Sequence, residues 1–253
     1  MKLTVCAEMF FVDLPFLDRI QAIADAGYKA VEFWAWRSKD IAAIKRITHR
    51  TGLSVSSFIL ETEAVLVDPG THEQLVRGAD ETFAVARELG CRSVIALTGN
   101  ERRGVPRAEQ HAAIVAGLRL IARSAEAAGV TIVLEPLNKR VETPDYFLTS
   151  SNEGARIVHA VGSPSVRLLF DIYHQQVSEG DLSVHLEEHR EIIGHIHVAG
   201  VPGRGDPGNG EINYPFLMEQ LRRWPYQGYI GLEYSPDGDP RQSLQRTADL
   251  LLT

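Results

Sequence analysis

Cysteine is nearly absent from this chain: only Cys6 and Cys91 occur among 253 residues. So few thiols exclude a disulfide framework and a metal centre built from several thiolates. Both lie in apolar, strand-like runs, which predicts buried thiols in a reducing compartment, and a cytoplasmic location is expected. Long hydrophobic runs are missing as well. No stretch reaches the ~18 apolar residues of a membrane helix, and the N-terminal MKLTVCAEMFF carries Glu8 in its first apolar run without a small-residue cleavage pattern. Neither a membrane span nor a targeting segment is expected. Positive charge is in deficit, with 26 Lys and Arg against 33 Asp and Glu and a net charge of −7. A general attraction to nucleic acid or an anionic membrane is therefore disfavoured, and small soluble substrates are favoured. No GxGxxG follows the first strand-like run, which argues against a dinucleotide fold. No shift in composition marks a linker, so residues 1–253 read as one domain.

What is present is a rhythm. The runs LTVCAEM, YKAVEFW, LSVSSFIL and RSVIALTG in the first half, then TIVLEPL, VRLLFD, IGHIHVAG and YIGLEY, are apolar almost throughout. Amphipathic segments separate them, with helix-start signals such as Ser38 before DIAAIKRITHRTG, Asp181 before a later helix and Asn213 before YPFLMEQLRRW. Eight strands alternating with eight helices predict a parallel sheet closed into a single (β/α)8 TIM barrel. An open, doubly wound sheet is the alternative.

Four consecutive units end in a polar residue: Glu135 after TIVL, Asp171 closing VRLLFD, His197 near the end of IGHIHV, and Glu233 after YIGL. They follow one another at 26 to 36 residues, close to the ~31 expected when ~250 residues are divided among eight units. Strand ends of neighbouring units share one rim, so these side chains should converge. A lone acid there usually anchors a loop or makes an ion pair. Three carboxylates gathered together repel one another unless a cation joins them, so the group argues for one divalent metal ion. Its oxygen-rich chemistry suits Mn²⁺ or Mg²⁺.

His174, three residues past Asp171, is expected in the loop above the same rim, within reach of a substrate oxygen. His195 shares the face of His197 one step deeper, as a core residue or a support for the ligands. Trp34, Trp36, Phe10 and Phe11 either wall the pocket or pack the interior. The segment GVPGRGDPGNG reads as a mobile loop at the rim and lacks the GKS/T ending of a P-loop. Arg204 is its only cation and a candidate clamp for a substrate carboxylate, with Lys139 and Arg140 as competitors. The Arg204-Gly205-Asp206 triplet also matches an adhesion motif, a reading that a cytoplasmic chain disfavours.

Through LEPLN, FDIYHQQ, IGHIH, NGEINY and YIGLEYSP, and through LPFLDRIQAIADAGYKAVEF near the start, the chain resembles the hydroxypyruvate isomerase family within the xylose-isomerase-like barrels. The resemblance implies that Glu135 and Glu233 form the acid/base pair, that these two with Asp171 and His197 hold the metal, and that His174 and Arg204 contact substrate. Some members carry glutamine where this chain has His197, whereas related ketose 3-epimerases carry histidine. Interconversion of hydroxypyruvate and tartronate semialdehyde, or of a related oxo-acid, is the leading expectation. A ketose 3-epimerase uses the same parts, and a non-catalytic sugar-binding barrel or an endonuclease-type metallohydrolase is the third alternative. The expected partner is a small sugar or oxo-acid, with self-association into a homo-oligomer left open.

Overall fold

The eight apolar runs become eight parallel strands because each is too apolar to face water on either side. In the computed structural model, which describes residues 1–252, they are β1 (Lys2–Cys6), β2 (Ala30–Phe33), β3 (Ser54–Ile59), β4 (Ser93–Ala96), β5 (Thr131–Leu134), β6 (Val166–Asp171), β7 (Ile193–Val198) and β8 (Tyr229–Leu232). They pair in sequence order, and β8 closes on β1 with Lys2 opposite Tyr229 and Val5 opposite Leu232. The result is the (β/α)8 barrel that the alternation predicts.

Nine α-helices surround it among the described residues: α1 (Phe16–Asp25), α2 (Ile41–Thr51), α3 (His72–Leu89), α4 (Arg107–Ala128), α5 (Ser151–Val161), α6 (Ile172–Ser178), α7 (Leu182–His189), α8 (Tyr214–Arg222) and α9 (Pro240–Leu252). The helix beyond the expected eight is α6, which starts directly at the end of β6. Asp171 caps it, its carboxylate accepting the His174 N–H at 3.1 Å, so His174 sits in a first helical turn and not in a loop. A second correction concerns α2: its cap is Asp40, whose carboxylate accepts the Ala43 N–H at 2.8 Å, rather than Ser38. Asn213 caps α8 as expected, accepting from Phe216 N–H at 3.3 Å.

Strand alternation sorts residues between two interiors. Leu134, Leu168, Phe170, Ile196, Val198, Ile230 and Leu232 face the helices in the main core. Ile95, Val133 and Leu169, one step along on β4, β5 and β6, form a separate cluster that fills part of the lumen. Extending this second set along β5 to β8 leads to Glu135, Asp171, His197 and Glu233. The same parity on β2 gives Glu32. Both cysteines are buried and unpaired, and burial pushes the Cys91 thiol up to about 12. No helix among the described residues is long and apolar enough to cross a membrane.

Candidate active site and metal centre

Glu135 follows β5 immediately, its N–H still bonded to Ala96 O at 3.1 Å. Asp171 lies opposite His197 in the β6–β7 register, and the Glu233 N–H reaches Val198 O at 3.3 Å. Strand hydrogen bonding thus fixes the backbone under each predicted ligand. All four side chains are buried, and one ligand atom from each lies within 4.8 Å of the others. His197 Nδ1 is the hub, 3.3 Å from Glu135 Oε1, 3.2 Å from Glu233 Oε2 and 3.9 Å from Asp171 Oδ2.

The charges set these groups apart. Burial pushes Glu135 up, and His197 offsets only part of that while the neighbouring carboxylates add to it. Burial acts on Glu233 in the same direction but is outweighed by His197, Arg204 and the Trp34 N–H, which hold it well below the usual carboxylate range. Burial alone would lower His197, yet Glu233 and Glu32 raise it well above the usual imidazole value.

Arg204, the candidate clamp on the glycine-rich loop, reaches the cluster. Its guanidinium lies 2.6 Å from Glu233 Oε2, 3.7 Å from Asp171 Oδ2 and 3.5 Å from Glu142 Oε2, and sits 5.2 Å above the Tyr173 ring. The loop carrying it is tied down. Ser235 N–H donates to Arg204 O at 2.9 Å, and Asp206, 3% exposed, takes bonds from Asp237 N–H, Ser243 Oγ and Arg246. Asp206 is therefore buried and engaged, which removes the adhesion reading. The glycine at 200 serves close approach, since a Cβ there would lie 2.6 Å from Asp206 O.

The other predicted positions separate clearly. His174 Nε2 is 3.6 Å from Asp171 Oδ2, and so joins the site. Lys139 pairs with Glu101 at 2.9 Å and Arg140 is exposed. Trp34 donates its indole N–H to Glu233 Oε1 at 2.6 Å, whereas the Trp36 indole bonds to Thr82 on α3. Phe10 is buried edge-on against Tyr234, and Phe11 packs under Arg241. His195 lies in the lumen beside Glu32, 3.0 Å from Oε2, in keeping with a supporting role.

Two residues near the candidate ligands carry no assignment from the sequence. Glu142 accepts the Tyr173 hydroxyl at 3.0 Å and faces Arg204; it lies in an irregular loop with no periodicity to signal it. Glu32 does have a signal, an acid at the centre of AVEF, but its partners lie across the barrel on β7.

The donor set fits a divalent cation. Glu135 Oε1 and His197 Nδ1 are buried without hydrogen-bond partners and face each other across the cluster. Three carboxylates make an oxygen-rich set of the kind Mn²⁺ and Mg²⁺ take, with one imidazole as the borderline fourth donor.

Compared with known proteins, residues 20–252 match the model of the xylose isomerase-like TIM barrel family. The chain belongs to that family. It is 35% identical to the 2-oxo-tetronate isomerase of Cupriavidus necator, over 90% of each chain. It is 29% identical to the hydroxypyruvate isomerase of Escherichia coli K12, over 90% of this chain and 91% of that one. A crystal structure named AP endonuclease, family 2, from Brucella melitensis superposes with a TM-score of 0.93 at 28% identity, covering 98% of this chain and 99% of that chain. The named sequence relatives put the chain among the isomerases of the family.

Proposed function

We propose that this chain is a metal-dependent isomerase of a short hydroxy-oxo acid, of the hydroxypyruvate type, moving a proton between adjacent carbons through an enediolate. The observation that carries this reading is the meeting of Glu135 and Glu233 at His197 Nδ1, at 3.3 and 3.2 Å, beneath Arg204. Two carboxylates bracketing one carbon pair can remove a proton from one carbon and return it to the next. Glu135, Asp171, His197 and Glu233 would hold the ion, Mn²⁺ or Mg²⁺. When bound, it supplies Lewis-acid polarisation of a carbonyl and its neighbouring hydroxyl.

The remaining residues orient the substrate. His174 Nδ1 accepts the Asn138 backbone N–H at 3.0 Å, which leaves the proton of the neutral ring on Nε2, facing the same space and suited to a substrate oxygen. Arg204 offers a planar pair of donors, which matches a carboxylate better than a lone hydroxyl. Trp34, 36% exposed, covers Glu233 from the solvent side. The names of the two bacterial relatives both describe 2-oxo acids, in agreement with a carboxylate partner for Arg204.

An epimerase of a longer ketose is the second reading, and His197 is the observation in its favour, given the resemblance of that position to the epimerases. Returning the proton to the opposite face of the same carbon needs no further residue. The endonuclease reading is weaker: the rim offers one four-ligand cluster and the chain is acidic, whereas a nuclease needs a basic footprint.

The test is turnover of hydroxypyruvate, of longer hydroxy-oxo acids and of neutral ketoses by exhaustively demetallated protein, before and after adding Mn²⁺ or Mg²⁺. Acid turnover that returns with the ion supports the proposal. Undiminished activity in protein shown metal-free by elemental analysis overturns the metal-dependent part, and turnover of ketoses alone overturns the substrate class.

A further inference from the structure

One lumen carboxylate is left unused by that chemistry. Glu32 is 2% exposed. Its Oε2 accepts the Ser57 hydroxyl at 2.9 Å and meets His195 Nε2 at 3.0 Å, while Oε1 lies 3.3 Å from His197 Nε2. The contact with His197 is close but out of line: neither Oε1 nor Nε2 has a hydrogen-bond partner. Across the same ring, Nδ1 and Glu135 Oε1 are unpartnered as well.

Four buried, unsatisfied polar atoms strung across one imidazole are costly, and a single rearrangement satisfies them all. An ion held at Nδ1 and Glu135 accounts for two. A small turn of the ring that brings Nε2–H into line with Oε1 accounts for the others. We infer that Glu32 is a positioning residue for the metal centre: its carboxylate accepts the Nε2–H of His197, selects the tautomer that leaves Nδ1 free, and aims the ring at the ion. This role rests on the metal reading above.

The surroundings are arranged for this contact. Ser57 and His195 hold the second oxygen, so the carboxylate is fixed on the side away from the ligands. On β8, Gly231 pairs in register with His197. A Cβ at 231 would collide with Glu32 Oε1 and lie 2.6 Å from His197 Cδ2, so the glycine leaves room for both groups to meet. The geometry matches a general habit of metal-bound histidine, whose second nitrogen donates to a carboxylate that sets ring orientation and basicity.

The experiment is titration of the full-length, demetallated protein with Mn²⁺ alone, comparing wild type, Glu32→Gln and Glu32→Asp. Glu32→Gln keeps the side-chain volume and is expected to weaken Mn²⁺ binding about 10- to 100-fold, with Glu32→Asp recovering part of the loss. Imidazole nitrogen NMR of wild-type protein with Mg²⁺ should find His197 protonated at Nε2 and coordinating through Nδ1. A folded Glu32→Gln variant that binds Mn²⁺ within about twofold of wild type overturns the inference, given the size of such effects elsewhere. So does coordination of wild-type His197 through Nε2, a result that decides the matter even if Glu32→Gln does not fold. Wild-type protein that binds neither ion removes the metal reading and this role together, whereas normal wild-type binding with an indifferent Glu32→Gln removes only the role of Glu32.

Discussion

Asn138 determines which nitrogen of His174 carries the proton. The Asn138 backbone N–H donates to His174 Nδ1 at 3.0 Å, and its side-chain amide lies 2.8 Å from the same atom. A nitrogen that accepts an N–H is unprotonated, so the proton of the neutral ring sits on Nε2, 3.6 Å from Asp171 Oδ2. The Asn138 carbonyl side-chain oxygen in turn accepts the Val141 N–H at 2.9 Å, which ties the loop carrying Glu142 to the same point.

His174→Ala should therefore lower kcat/KM by about 1.4 to 3 kcal/mol, roughly 10- to 150-fold, the range for losing one strong hydrogen bond to substrate. Mn²⁺ affinity should stay near wild type, because His174 is not among the four proposed ligands. Steady-state kinetics beside a metal titration checks both; an equal loss of metal affinity would make His174 a ligand.

Glu135→Gln and Glu233→Gln should each reduce kcat by roughly 10²-fold or more, as expected for general acid–base groups, with weaker metal binding adding to the effect. Assays at saturating Mn²⁺ isolate the proton-transfer part. Near-normal kcat in either variant would take that residue out of the pair.

Arg204→Lys separates the two substrate classes. A lysine keeps the charge but loses the planar fork, so kcat/KM for a 2-oxo acid should fall by about 1.4 to 3 kcal/mol, ~10- to 150-fold, with little change for a neutral ketose. Equal losses on both would mean that Arg204 organises Glu233 and the loop without reading a carboxylate, and the epimerase reading would gain.

Much of this arrangement was legible in the sequence because it is carried by local signals. Apolar runs at a regular interval define the barrel, and parity along each strand puts Asp171, His197 and the residues following β5 and β8 on one rim. What the sequence hid depends on contacts between distant positions. Glu32 looks like a stray acid in AVEF until β2 and β7 face each other across the lumen. Trp34 reaches Glu233 over 199 positions, and Arg204 folds back over the ligands through bonds that its loop makes to the β8 end. Helix α6 has no separate start signal because Asp171 is both a strand end and a cap: Oδ1 holds the helix N–H while Oδ2 faces the site. The choice between Ser38 and Asp40 turned on which oxygen reaches Ala43 N–H, a matter of two residues.

Acid stability offers a check on the lumen cluster. Burial would raise the Glu32 carboxyl, but His197 and His195 outweigh it and hold the group at about 2, below its ordinary 4.5. A depressed carboxyl contributes stability that is fully present above 4.5 and is lost as pH falls toward about 2. Urea unfolding across that window should find wild type losing stability more steeply than Glu32→Gln. Parallel profiles would mean that Glu32 carries no such linkage.

Proton transfer by carboxylates that exchange with solvent is decided by the product formed from hydroxypyruvate in D₂O with Mn²⁺, read by proton NMR and mass spectrometry. Deuterium is expected at the carbon that gains hydrogen. Product carrying only protium at that carbon would contradict solvent-exchanging proton transfer by Glu135 and Glu233 and require a hydride shift or a fully shielded proton relay in its place.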